Sequence, residues 1–405
     1  MADNDRPKRP LPKFSKRVLE PEDDERQAWP SFLEAPEGQE RNPHLQKTRR
    51  GPTPTVAPRG DKITYTEGEF DRIVISYYDL LGNLSPNAKA AVQADPEKYL
   101  AILLHGGGRA FLLTHPLAAK TVQQNIIDLQ IASVSDAEAG PEFMSAVRVH
   151  FPEACFNHDS REWYDKPWTI PAEGVTDAAR HFLLWQQTFA FSKDSAWHVV
   201  PFDRDLMPWL ITTVSGSAID DGSLSKTELL RRIKCMLVED SMFLNMCDRH
   251  LAAQGVAGSV RSRTIKALST FNLTPVEFTN TRANRETVMV LTGEPITHDK
   301  DDHFAWLRLI RSKNYTVGFD TVVTGRRWDP CAGCKSELHP VDECSFAKTF
   351  GWFGPSADDM KHMVVTAKSS MRKDDAPTKK PQQRTGRGGN PSDRPQGRGA
   401  RRGKA

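Results

Sequence analysis

Between Glu67 and Leu81 the apolar residues fall at Phe70, Ile73, Val74, Tyr77 and Leu80–Leu81. This three-to-four spacing predicts a helix with one buried face. Ser85-Pro86 opens a second helix, with Ser as the cap and Pro in the first turn. Asp95-Pro96-Glu97 repeats that start signal and predicts a third helix through Leu104, which His105-Gly106-Gly107-Gly108 terminates in a turn. Residues 116–131 read as one more helix and 132–162 as mixed loop. The stretch 65–162 is therefore expected to be mainly helical.

From Lys166 the pattern becomes mixed. Lys166–Gly174 reads as extended, and Thr176 caps a helix carrying Ala179, Phe182, Leu183, Trp185, Gln186 and Phe189, continuing through Leu184–Phe191. Ala196–Phe202 and Trp209–Val214 read as strands, and one long amphipathic helix is expected from Ser225 to about His250. This order predicts an α+β chain with a ferredoxin-like or RRM-like sandwich over 165–325. Downstream, Val260–Ser269 is helical, Pro275–Thr279 and Thr287–Leu291 are strands, Asp301–Ser312 is a helix and Tyr315–Thr324 a strand. That second run fits either a second module or an extension of the first sheet. Trp197 and Trp209 sit on predicted strands, where alternating aromatics favour the core, and no RNP-type aromatic string accompanies them.

Composition changes the picture at the ends. Residues 1–62 are rich in Pro and charge without apolar periodicity, and 361–405 form a low-complexity RG-type tail, so both are expected to be disordered. Within the first arm, Arg6–Arg17 suits a nuclear import signal, a nucleic-acid-touching arm or a plain solvated segment. Residues 361–405 carry 13 Lys/Arg against 3 Asp, and residues 1–62 carry 13 against 11 Asp/Glu. With +3 for the whole chain, the body from 63 to 360 is left at −9. Affinity for a polyanion is thus expected in the tail, with Arg384, Arg387, Arg398, Arg401 and Arg402 on phosphates. No apolar leader follows the charged start, and the longest apolar run, Tyr99–Leu104, is far too short for a bilayer. A cytoplasmic or nuclear protein with reduced thiols and no membrane partner is the expectation.

Three of the six cysteines lie within one fourteen-residue stretch. Cys331, Cys334, His339 and Cys344 follow the spacing C-x2-C-x4-H-x4-C, which suits tetrahedral Zn2+ held by thiolate and imidazole. So short a loop cannot bury a core, so the metal is expected to supply its folding energy, over a small knuckle at 328–356. Other polar clusters carry less. The set His150, Cys155 and His158 stops at three ligands, and in His298–His303 the aspartates read as helix-start residues. The HGGG string also occurs in esterase oxyanion loops, but the G-x-S-x-G elbow those enzymes need is missing. With four protein ligands closing the zinc site and no nucleophile, phosphate loop or carboxylate pair, the chain reads as a non-enzyme.

The knuckle resembles the CCHC knuckles of retroviral nucleocapsid and retrotransposon Gag-like proteins. Together with Phe346 and Gly351-Trp352-Phe353-Gly354-Pro355, it is similar to fungal transposon-related zinc-knuckle proteins. The resemblance implies single-stranded RNA or DNA as partner. Such knuckles usually place an aromatic after the first Cys and Gly before the His, where this chain has Ala332 and Leu338. Base stacking is therefore assigned to Trp328 and Trp352. The alternative is a structural or protein-interaction module, self-associating through the α/β body, in which zinc only stabilises the C-terminal end.

Overall fold

The computed structural model describes residues 36–360, except 60–61, 83, 108–111, 113–114, 132–145, 153–167, 217–218, 220–222, 280–284, 318–319 and 325–330. The expected disordered arm, apart from its last part, and the whole basic tail lie outside the described residues. The described chain is mixed helix and sheet. Its helices are α1 (Tyr77–Gly82), α2 (Pro86–Ala94), α3 (Ala118–Asp128), α4 (Asp177–Gln186), α5 (Ser223–Val238), α6 (Ser241–Ala253), α7 (Val260–Ser269) and α8 (Lys300–Arg311). Its strands are β1 (Leu100–Leu104), β2 (Arg148–Val149), β3 (Thr169–Glu173), β4 (Thr188–Ser192), β5 (Ser195–Pro201), β6 (Leu210–Ser215), β7 (Asn272–Thr279), β8 (Arg285–Thr292), β9 (Tyr315–Val317) and β10 (Asp320–Thr324). No helix among the described residues is long and apolar enough to cross a membrane.

The strands form two five-stranded sheets, β2-β3-β1-β5-β4 and β7-β8-β6-β10-β9. The second order is the first with five added to every number. Both sheets thus follow one plan: the opening strand is central, helical segments separate it from the next two strands, another helix follows, and a hairpin completes the far edge. All pairings are antiparallel. The downstream run is therefore a second sheet rather than an extension of the first.

Strand alternation sorts side chains between faces. Leu100, Ile102 and Leu104 of β1 join Val122 and Ile126 of α3 and Phe182 and Leu183 of α4 in one core. Ala101 and Leu103 face the opposite way, joining Val200, Phe202, Phe70, Ile73, Tyr77 and Leu81 in another. Both faces of the first sheet are therefore covered, the second by the chain's own residues 70–92. In the second sheet Ile211, Met289 and Leu291 pack with α5, α6, α7 and α8 around Trp306 and Phe243.

The segment before α1 ties the two sheets together. Glu37 N donates to Ser269 O, Gln39 Nε2 donates to Thr270 O, and His44 Nε2 accepts from Trp209 N at 3.1 Å. Farther along, Arg49 N donates to Trp185 O and Thr66 N to Ala190 O. The buried Gln187 amide then bonds both the N–H and the C=O of Ile73. These bonds satisfy extended backbone where the periodicity predicts helix, so α1 starts only at Tyr77.

Several other expectations change. Leu100–Leu104 is a strand and not a helix: every residue of β1 is buried, and a short apolar run of this kind has no periodicity to separate the two states. The helix expected through Phe191 ends at Gln186, where Gln187 turns left-handed (φ 57°), and Thr188–Ser192 becomes a strand. The long helix expected from Ser225 to His250 breaks at Asp240, which caps α6 by accepting from Met242 N and Phe243 N. Tyr315–Thr324 is a hairpin of two strands. With β1 restored as a strand, the first sheet closes at β5 and β6 opens the second. The expected caps at Ser85 and Thr176 are present, each accepting a backbone N–H three residues on.

Within His298–His303, Asp299 caps α8 by accepting from Asp302 N, so the helix-start reading holds. His303 is buried, and burial lowers its imidazole to about 4. Its folded value lies below the unfolded 6.5, so its contribution to stability is full above pH 6.5 and declines as pH falls toward 4. The slope approaches 1.4 kcal/mol per pH unit for one group. Denaturant unfolding at pH 7.5, 6 and 5 should show this loss. His303→Leu, remote from the cysteines, should flatten it by one group's share, and an unchanged slope in that variant would contradict a neutral buried His303.

Candidate metal centre

The site is built on the turn after β1. His105 and Gly106 reverse the chain there, Gly106 with φ 75°, and the C-terminal segment docks onto this turn. Gly106 N donates to Gly333 O at 3.1 Å. The Lys335 ammonium donates to Gly107 O and, at 2.7 Å, to Ala332 O. The glycine run read as a turn is thus the seat of the cysteine loop. The loop also closes on itself: Lys335 N donates to Cys331 O at 2.9 Å and Cys331 N to Ser336 O at 2.8 Å. Lys335 adopts a left-handed conformation (φ 66°), where glycine would be unstrained.

This folding brings the four predicted ligands together. The Sγ atoms of Cys331, Cys334 and Cys344 and a ring nitrogen of His339 all lie within 4.8 Å of one another. Cys334 Sγ and His339 Nε2 are 3.4 Å apart. Tetrahedral bonds of about 2.3 Å to sulfur and 2.0 Å to nitrogen would separate these donors by roughly 3.5 Å, so the set fits Zn2+. The three sulfurs are buried. Burial pushes the Cys334 thiol up, and the neighbouring Cys331 sulfur does the same to Cys344. Three thiolates can share this volume only with a cation among them, and the buried Lys335 ammonium beside them offsets the remaining negative charge.

The loop does not stand apart as a free knuckle. Cys331, Cys334, Cys344 and Phe346 belong to the same core as Phe70, Leu81, Leu103 and Val200. Phe346 stacks on Phe70 with centroids 5.5 Å apart, and meets the rings of His198 and His105 at 5.0 and 5.7 Å. His105 and His198 share a 2.7 Å hydrogen bond, and Thr188 Oγ1 lies 3.0 Å from the other His198 nitrogen. Burial lowers both imidazoles, His105 to about 3, so both are neutral at pH 7. Ser345 Oγ donates to Asp71, Thr66 Oγ1 donates to Gly351 O and accepts from Phe353 N, and Val341–Glu343 lies against β7 of the second sheet.

Gly333 has no room for a side chain: a Cβ would stand 2.6 Å from Met360 Sδ and 2.9 Å from the His105 ring. Gly333→Ala should therefore lower stability by about 1–3 kcal/mol, the usual cost of overpacking. A denaturant midpoint equal to wild type would contradict so close an approach.

The other expected contacts fare differently. Trp352 is half-buried, packed on Phe70 and His105, with its indole N–H donating to Pro355 O at 3.0 Å. Part of its ring is thus taken up by packing. Trp328, Arg384, Arg387, Arg398, Arg401 and Arg402 lie outside the described residues. Trp197 is fully buried against Phe189, and Trp209 is buried. His150 pairs with Glu173, while Cys155 and His158 lie outside the described residues. Among the described residues the cysteine–histidine set is the only group of its kind. Sequence reasoning missed the His105–His198 pair and the exposed Phe350, 99% accessible, close ahead of the tail. Phe353, one of the aromatics that bracket the loop in the sequence, is also exposed.

No family model, no curated protein and no solved structure matches the chain.

Proposed function

We propose that this chain is a non-enzymatic, zinc-stabilised protein that binds single-stranded RNA or DNA and is of Gag-like, transposon-related type. The two sheets are read as paired ferredoxin-like modules. Zinc acts as an internal clamp, and the basic tail makes the phosphate contacts. The observation that carries the zinc part is the burial of all three sulfurs in the core that covers the first sheet. A closed set of four protein ligands leaves no position for a reacting water. The face on which RRM-type sheets stack bases is here filled by residues 70–92 and the cysteine loop, and the body is acidic. The tail, at +10, is the part of the chain with the charge to release counterions from a nucleic acid.

The test is a titration of single-stranded RNA at several salt concentrations, with the full chain and with a form ending at Met360. The full chain should show log affinity falling linearly with log salt, at about 0.7 per neutralised phosphate. The shortened form should lose at least about a hundredfold in affinity at low salt. Equal affinities would sink the assignment to the tail and favour the reading of the chain as a protein-interaction module.

A further inference from the structure

Between the segment 49–67 and helix α4 lies a cleft of about 340 Å³, open on one side and walled by Tyr65, Phe182, Trp185 and Val56. Arg49 is fixed at its edge. Its backbone is left-handed (φ 59°), its N–H donates to Trp185 O, and its Nε donates to Gln186 Oε1 at 2.6 Å. Its guanidinium carbon sits 5.3 Å over the Trp185 ring. A charged residue held in a strained conformation by three contacts is a feature of binding sites more than of solvated surface. Only Nε of the guanidinium is engaged, so the two terminal nitrogens, the part of the fork that grips oxyanions, have no partner among the described residues. Tyr65 and Glu67 line the same cleft, where the Tyr65 hydroxyl lies within the electrostatic reach of both Glu67 and Arg49. An aromatic slot beside a guanidinium whose terminal nitrogens have no hydrogen-bond partner among the described residues, with a hydroxyl at its mouth, matches a planar base joined to a phosphate.

We propose that this cleft binds one nucleotide, its phosphate on the terminal nitrogens of Arg49 and its base against Tyr65 and Trp185. The proposal deepens the nucleic-acid reading above and rests on it for the source of the ligand, a nucleotide of a single strand. The base contacts that the filled sheet face cannot make are assigned here, and the tail keeps the sequence-blind phosphate contacts.

The experiment is calorimetric titration of the zinc-loaded full chain at about 0.3 M salt, where contacts of the tail with phosphate are weak. The titrants are AMP, GMP, CMP and UMP, then the nucleosides and inorganic phosphate, with a single-stranded RNA in a parallel series. At least one mononucleotide should bind saturably and more tightly than its nucleoside or phosphate alone. Arg49→Asn, which tolerates the left-handed backbone, should weaken it at least about tenfold, and Tyr65→Phe should weaken it less, both with wild-type circular dichroism. Absence of saturable binding by all four mononucleotides, or equal binding by wild type and both variants, overturns the proposal. RNA binding without mononucleotide binding removes the cleft and leaves the tail reading standing. Mononucleotide binding without RNA binding keeps the cleft and removes the single strand as its source.

Discussion

Replacing Cys331 and Cys334 together by serine should abolish stoichiometric zinc and unfold far more than the fourteen-residue loop. Structural zinc contributes about 10 kcal/mol or more to small zinc-dependent folds at neutral pH. Here the ligands also form part of a core. With two ligands gone and no metal, nothing ties His339 and Cys344 back to the first turn of the loop beside the buried Lys335 ammonium, and the loop is expected to leave its seat on Gly106 and Gly107. That departure uncovers Leu103 and Val200 of the first sheet and Phe70 packed beside them. The double variant should therefore bind hydrophobic dyes and lose a large part of the unfolding free energy of the first module. The second module, whose core is built around Trp306 and Phe243 without any cysteine ligand, should keep its own transition. A single unfolding transition unchanged from wild type would show that the cysteines are bystanders.

The second large effect is expected at Phe346. Its ring is fully buried and lies among Phe70, His105, His198 and Trp352, the four rings that join the zinc loop to the sheet and to the segment before α1. Phe346→Ala removes the apolar side of the docking while leaving every metal ligand in place. Truncation of a buried phenylalanine typically costs about 3–5 kcal/mol. The variant should still take up one zinc ion per chain but release it faster to a chelator, because the loop would be held by the metal alone. Denaturant unfolding measures the first effect and chelator competition the second. A loss under about 1 kcal/mol would mean that the ring packs loosely and the loop is held by zinc only.

How much of this was visible along the chain depends on which physical signal each part carries. The four ligands were legible because C-x2-C-x4-H-x4-C is a local constraint, set by what one ion can reach. The caps at Ser85, Thr176 and Asp299 were legible for the same reason, since each hydrogen bond spans three residues. The central strand β1 was not. A five-residue apolar run buried on both faces has no alternation to betray it, and reading it as helix removed the central strand of the first sheet, although the extended reading of Lys166–Gly174 and the strand reading of Ala196–Phe202 overlap β3 and β5. The common plan of the two sheets was hidden by that one substitution of state, together with the reading of Thr188–Ser192 as helix. The seat of the metal loop was also beyond the sequence. His105–Gly108 gave a turn, but that the turn receives Gly333 and Lys335, 227 and 228 residues or more away in the chain, follows only from packing. Trp352 was singled out as an aromatic near the knuckle, and it is the packing around Phe70 that turns it inward.

A zinc ion at Cys331, Cys334, His339 and Cys344 is proposed to lock the C-terminal segment onto the face of the first sheet that residues 70–92 also cover. Hydrogen exchange followed by mass spectrometry, on the full chain with and without a zinc chelator, tests it most directly. Chelation should raise exchange in 331–346 and, in the same step, in Ile73–Leu81 and Leu100–Leu104, while β8 and α8 of the second module stay protected. Exchange that rises in 331–346 alone, or nowhere, would contradict the claim.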